Sequence, residues 1–155
     1  MNFNTTIFNK KQLKKYLEEK KTKHAHYITS AGVLKLFFID AMIYQAQYID
    51  ETQIDKKFPF LSSNEITQLL IAGTPFQLKV WNALLQIPEG KTTNYFDIAH
   101  IIGHPQSWRA VANAVGLNPI AYLIPCHRVL RKAGDLCGYN WGIERKRRLL
   151  QSEKN

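Results

Sequence analysis

The hydrophobic pattern changes period near Gly73, and that change restricts the chain to a fold in two parts. Before it, residues 25–30, 33–39 and 41–49 are rich in Ile, Val, Phe and Tyr, with breaks at "SAG" and near Asp40. Short apolar runs separated by turn residues predict an antiparallel meander. After it, in "TPFQLKVWNALLQIPEG", Phe76, Val80, Trp81, Leu84 and Leu85 recur at helical spacing, with Thr74 as cap and Pro75 in the first turn. Such a stripe is core rather than a ligand site. We therefore expect an α/β (α+β) chain: an N-terminal antiparallel-sheet domain over residues 1–73, then a helical domain over 74–155. At 155 residues there is enough chain for two small cores.

Three further segments carry helix signals. "NKKQLKKYLEEKK" (9–21) predicts a surface helix capped by Asn9, with Leu13, Tyr16 and Leu17 on one face. "SSNEITQLLIAG" (62–73) opens with a capping-box pattern, Ser62 to Glu65, and stops at Gly73, which predicts a helix there too. In "NYFDIAHIIGHPQSWRAVANAVGLNP" (94–119), Asn94 caps a helix ending at Gly103, and a "GHP" turn leads to a second helix ending at "GLNP". That is a helix-turn-helix pattern. The second helix is unusual for a base reader: Ser107, Ala110, Ala112 and Ala114 are small, with Arg109 among them. A helix of small residues approaches a backbone or narrow groove closely, whereas major-groove readers carry several long polar side chains. Helix-helix packing explains the same composition.

Net charge is +9, and it collects at the two ends. Residues 1–28 hold seven Lys against two Glu, and residues 125–155 hold eight Lys or Arg against three acids. A basic surface of this kind favours a polyanionic partner. Lys35 and Asp40 interrupt the most apolar region, 33–49, which makes it a poor membrane span, and the N-terminus lacks the apolar run of a signal peptide. With only two cysteines, a reducing, cytoplasmic setting is expected.

One of those cysteines, Cys126, stands between Pro125 and His127, with Arg128 next. Neighbouring cations lower a thiol pKa and raise the thiolate fraction, so a reactive sulfur is one reading. A packed, inert thiol is the other. A histidine acting as base also needs an orienting group, for which Asp135, Glu144 and Glu153 are candidates.

"IPCHRVL", with "GYNWG" downstream and "RAVANAVGLNP" and "GTPFQLKVWNALLQIPEGKTTNY" upstream, resembles the O6-alkylguanine-DNA alkyltransferases over residues 74–153. "TSAGVLKLFF" more faintly resembles the first hairpin of that family's ribonuclease H-like N-terminal domain. The resemblance implies DNA repair by direct reversal: one irreversible transfer of an alkyl group from O6-alkylguanine, and in some cases O4-alkylthymine, to Cys126. It further implies that His127 takes the thiol proton through a water and that Glu153 polarises the histidine. Asn118 would fix the turn, and Tyr95 would assist departure of the base. Tyr139, Asn140 and Trp141 would line the base pocket. Arg109 would fill the gap left by a flipped nucleotide, with Ser107, Ala110, Asn113 and Arg128 at the DNA. The partner is double-stranded DNA carrying the lesion, met by a monomer with no cofactor and no obligate protein partner.

Some positions depart from the family pattern. Trp108 and Asn113 stand where its groove helix tends to be small, and the bulk of Trp141 should narrow the pocket against large adducts. No cysteine precedes Cys126, so zinc is not expected. His24 and His26 read as strand residues, and Cys137 has no assigned role. Three other classes remain open: a non-catalytic lesion binder, a helix-turn-helix regulator and a thiol hydrolase.

Overall fold

Strand β1 (Asn4–Phe8) leads through helix α1 (Lys10–Glu19) into a meander of β2 (Lys23–Thr29), β3 (Gly32–Ile39) and β4 (Met42–Ile49). The computed structural model describes residues 3–136 and 138–154, so Cys137 lies outside the described residues. The first compact unit runs to Thr74 and includes Pro119–Ala121. β2–β3 and β3–β4 pair antiparallel, as the apolar runs predict. The β3–β4 turn is Asp40–Ala41, both with positive φ, the conformation a tight right-twisted hairpin requires. Asp40 also accepts a 2.6 Å hydrogen bond from Tyr16 and pairs with Lys20 at 3.1 Å, tying α1 to the hairpin. Asn9 and Gln12 form a reciprocal cap at the start of α1.

The sheet is mixed rather than antiparallel throughout. β5 (Phe60–Leu61) and β6 (Gln68–Ala72) complete the order β1-β6-β4-β3-β2-β5, with β1–β6, β4–β6 and β2–β5 parallel. The helix predicted over 62–73 is not formed. Ser62 and Glu65 do make the capping box, but around a single 3-10 turn, and Leu69, Leu70 and Ile71 then lie buried in β6. A four-residue apolar run between two other strands needs no alternation, because both of its faces are covered. Pro119–Ala121 join the same unit through β4: Ala46 N donates to Pro119 O at 3.0 Å, and Ala121 N to Ala46 O at 3.0 Å.

The second unit holds Pro75–Asn118 and the chain from Tyr122 onward. Its elements are α2 (Pro75–Leu85), β7 (Thr93–Asn94), α3 (Tyr95–Ile101), α4 (Trp108–Gly116), β8 (Val129–Leu130) and α5 (Ile143–Ser152). The predicted α2 stripe is core: Val80, Trp81 and Leu84 are buried, and Trp81 Nε1 donates to Ala114 O of α4 at 2.8 Å. Asn94 Oδ1 accepts from the Phe96 and Asp97 amides at 3.0 Å each, which starts α3. A turn through Gly103 (φ +76°) joins α3 to α4, and β7 pairs in parallel with β8. Among the described residues, no helix is long and apolar enough to cross a membrane.

Candidate active site

The loop between α4 and β8 is built around one side-chain amide. Asn118, buried, donates from Nδ2 to Ile124 O at 2.9 Å and to Cys126 Sγ at 3.2 Å. Pro125, at φ −79° and ψ 61°, makes an inverse γ-turn closed by Cys126 N donating to Ile124 O at 2.7 Å. Cys126–Arg128 then form one 3-10 turn, and Val129 and Leu130 after it pair in parallel with Thr93 and Asn94, the two residues before Tyr95.

His127 is fully buried, and its Nε2 lies 2.7 Å from Glu153 Oε1. Glu153 also receives Arg128 Nε at 3.0 Å on Oε2, Arg128 Nη2 at 2.9 Å on Oε1, and the Gly90 amide at 3.3 Å. Desolvation alone would raise the Glu153 carboxyl pKa, but the hydrogen bonds from His127 and Arg128 overcome it and bring it down to about 2. Burial holds the His127 pKa below its usual value, against the pull of Glu153. The imidazole is therefore neutral beside an ionised carboxylate. Nε2 must carry the proton it donates, which leaves the lone pair on Nδ1. Nδ1 is buried and has no protein hydrogen-bond partner among the described residues. The Tyr122 ring lies parallel to the imidazole, at 5.9 Å and 8°.

Cys126 is 7% exposed, and burial raises its thiol pKa, opposed by the Asn118 hydrogen bond, the charge of Lys146 and the Cys126 and His127 amides. The resting sulfur is a thiol, which corrects the expectation drawn from its cationic neighbours. The Arg128 charge is spent on Glu153, and Arg128 Nη1 donates to Ile87 O at 2.7 Å. That guanidinium is committed inward, so the reading of Arg128 as a DNA contact does not fit its geometry.

Cys126 lies on a cleft lined also by Tyr95, Asn118, Tyr139, Asn140 and Trp141. Tyr95 and the three expected pocket residues, Tyr139, Asn140 and Trp141, thus line the same cleft as Cys126. Asn140 Nδ2 donates to Gly116 O, and Trp141 O accepts from Arg145 at 3.1 Å, fastening the loop to α4 and α5. On α4, Arg109, Ala110 and Asn113 are exposed, with Ser107 half-buried at its start. Trp108 lies half-buried against Phe96. Glu144 pairs with Arg147 on the surface of α5, away from any imidazole role. Among the described residues, no group of three or more His, Cys, Asp or Glu is placed to hold a metal ion.

Three contributors were not predicted. Gly90, at φ +74°, would bring a Cβ to 2.8 Å from Glu153 O, so "IPEG" packs tightly on the end of α5. Lys146 is 1% exposed and donates from Nζ to Val129 O at 2.6 Å. Its signal was available, since it shares a helix face with Leu149 inside an otherwise solvated basic run. Tyr122, at φ +67°, left no mark in the sequence.

A thiol on a cleft, backed by a neutral imidazole and an ionised carboxylate, is the equipment of a cysteine nucleophile with a histidine base. The family model of 6-O-methylguanine DNA methyltransferase, DNA binding domain, matches residues 75–155. The chain belongs to that family. It is 42% identical over 139 residues to a probable methylated-DNA–protein-cysteine methyltransferase of Acanthamoeba polyphaga mimivirus, covering 81% of this chain and 93% of the relative. An inducible methylated-DNA–protein-cysteine methyltransferase of Bacillus subtilis is 54% identical over 83 residues, covering 54% of this chain and 46% of that one. A crystal structure of Mycobacterium tuberculosis OGT in complex with DNA superposes with a TM-score of 0.71 at 34% identity, over 84% of this chain and 92% of that one.

Proposed function

We propose that this chain repairs alkylated DNA by moving an alkyl group from O6-alkylguanine to Cys126, once per molecule. His127 Nδ1 withdraws the thiol proton through an intervening water as the sulfur attacks the alkyl carbon in line. The carbon–sulfur bond forms and the carbon–O6 bond breaks. A proton delivered to the ring, assisted by Tyr95, lets guanine leave as a neutral base. Glu153 stays ionised and stabilises the imidazolium that forms, while Arg128 and Gly90 hold Glu153 in place. The thioether is no longer a nucleophile, so the protein is consumed.

The lesion atom lies inside a duplex beyond the reach of any side chain, so the nucleotide must rotate out. The small, exposed face of α4 suits close approach in the minor groove, and Arg109 fills the vacated stack. Phosphate contacts then dominate affinity, with strong salt dependence and little sequence preference. O4-alkylthymine is a second substrate for the same chemistry. Action as a cytoplasmic monomer belongs to the same proposal.

The observation that supports this reading is the commitment of His127 Nε2 to Glu153, which leaves the Nδ1 lone pair available in the residue next to a buried thiol. Stoichiometry tests it. With excess methylated duplex, repair should stop at one methyl group removed per protein molecule. Continued turnover would indicate a thiol hydrolase, and tight binding without repair would indicate a lesion binder.

A further inference from the structure

Beside the Cys126 cleft runs a wider groove, lined by Phe96, Trp108, Arg131 and Lys132, which shares Tyr95 and Asn140 with the cleft. The Phe96 and Trp108 rings stack at 5.0 Å with 25° between their planes. Lys132 Nζ stands 5.4 Å from the Phe96 centroid, and Arg109 Cζ stands 4.8 Å from that of Trp108. Cation and ring contacts therefore run in one row, Lys132, Phe96, Trp108, Arg109. The transfer of one alkyl group to Cys126 assigns no role to Phe96, Trp108, Arg131 or Lys132.

Aromatic rings set among cations are how proteins hold unpaired bases on a phosphodiester strand: the rings take the bases and the cations the phosphates. Because the groove is continuous with the cleft, its occupant is covalently continuous with whatever enters the cleft. We propose that Phe96 and Trp108 form a stacking subsite for the nucleobase adjoining the extruded one on the same DNA strand, with Arg131 and Lys132 at its phosphate. This rests on the alkyl-transfer reading for its ligand. A base settling on Trp108 takes the place of the Arg109 guanidinium, so that capture of the neighbour releases Arg109 towards the duplex.

The test is a double-mutant cycle. Methylated duplexes carrying an abasic nucleotide on the 5′ or the 3′ side of the lesion are compared with the intact duplex, using the wild type, Trp108→Ala and Trp108→Phe. The readout is the single-turnover rate on duplex divided by that on free O6-methylguanine, which has no neighbour. The same cycle is read as Kd in a Cys126→Ser background, so it does not depend on the chemistry. Removing the neighbouring base on one side should weaken the wild type roughly tenfold more than Trp108→Ala, the size expected when one stacking aromatic is lost. Trp108→Phe should keep most of that coupling. Equal effects of the abasic site on wild type and Trp108→Ala, from both sides, would overturn the subsite. Failure of the unmodified protein to transfer methyl from any substrate would instead overturn the chemistry, and the Kd cycle would still decide the subsite.

Discussion

His127 and Glu153 are 26 residues apart in the chain and 2.7 Å apart at Nε2 and Oε1. That one contact fixes the tautomer of the histidine. Because Arg128 and the Gly90 amide hold the carboxylate independently of His127, it remains ionised while the imidazole is neutral. The imidazole is thus held in one orientation, neutral and with its lone pair on Nδ1, beside an ionised carboxylate.

Replacing Glu153 by Gln keeps an acceptor at Oε1 but removes the charge that stabilises the imidazolium. Transfer should slow on the order of 10²-fold, within the range assigned to a positioned general base. Single-turnover rates on methylated duplex measure it. A rate within twofold of wild type would remove Glu153 from the mechanism.

Arg128 and Arg109 should separate by substrate. Arg128→Ala leaves Glu153 buried without its fork, which should cost about 3 kcal/mol of stability and slow transfer to the free base and to duplex alike. Arg109→Ala should slow transfer to duplex much more than to the free base. Denaturant titration with both rate measurements checks the pair, and a duplex-only loss for Arg128→Ala would restore its reading as a DNA contact.

Stability should peak between about pH 7 and pH 9. The Glu153 pKa lies at about 2, below the usual 4.5, so its contribution is complete above pH 4.5 and disappears as pH falls towards 2, on the order of 3 kcal/mol. The His127 pKa is held below 6.5 by burial, so the unfolded chain takes up a proton below that pH which the folded chain refuses. The Cys126 pKa is raised above 9 by burial, so the unfolded chain gives up a proton above that pH which the folded chain retains. Thermal melts from pH 3 to pH 10 should show losses on both sides. In Glu153→Gln the steep loss below pH 4.5 should shrink.

Gly90→Ala sets a methyl group 2.8 Å from Glu153 O at a φ that L-residues adopt at a cost. Destabilisation of about 2 kcal/mol is expected, together with slower transfer, because the displaced segment carries the carboxylate. Unchanged melting and rate would mean that the loop yields freely.

Much of the fold was legible from periodicity. The meander, α1 with its Asn9 cap, α2 and the Asn94-capped α3 all follow patterns visible within a dozen residues. The error at 68–72 came from "LLIA", a run too short and too uniformly apolar to reveal its period, placed after a genuine capping box. The site was legible in its types but not in its choices. Three carboxylates were candidates to orient His127, and only the fold brings Glu153 to it across the whole second unit. Nothing in the order of residues states that Arg128 turns inward or that burial outweighs charge at Cys126. The tight approach of Gly90 and the left-handed Tyr122 depend on distant segments meeting.

Alkyl transfer stands or falls on whether the Cys126 sulfur receives carbon. Intact mass and peptide mapping after mixing with an O6-methylguanine duplex test it most directly. The expected result is one added methyl group, confined to the peptide containing Cys126 and absent from Cys126→Ser. A protein that binds the lesion yet keeps its original mass, or carries the methyl group on another residue, would contradict it.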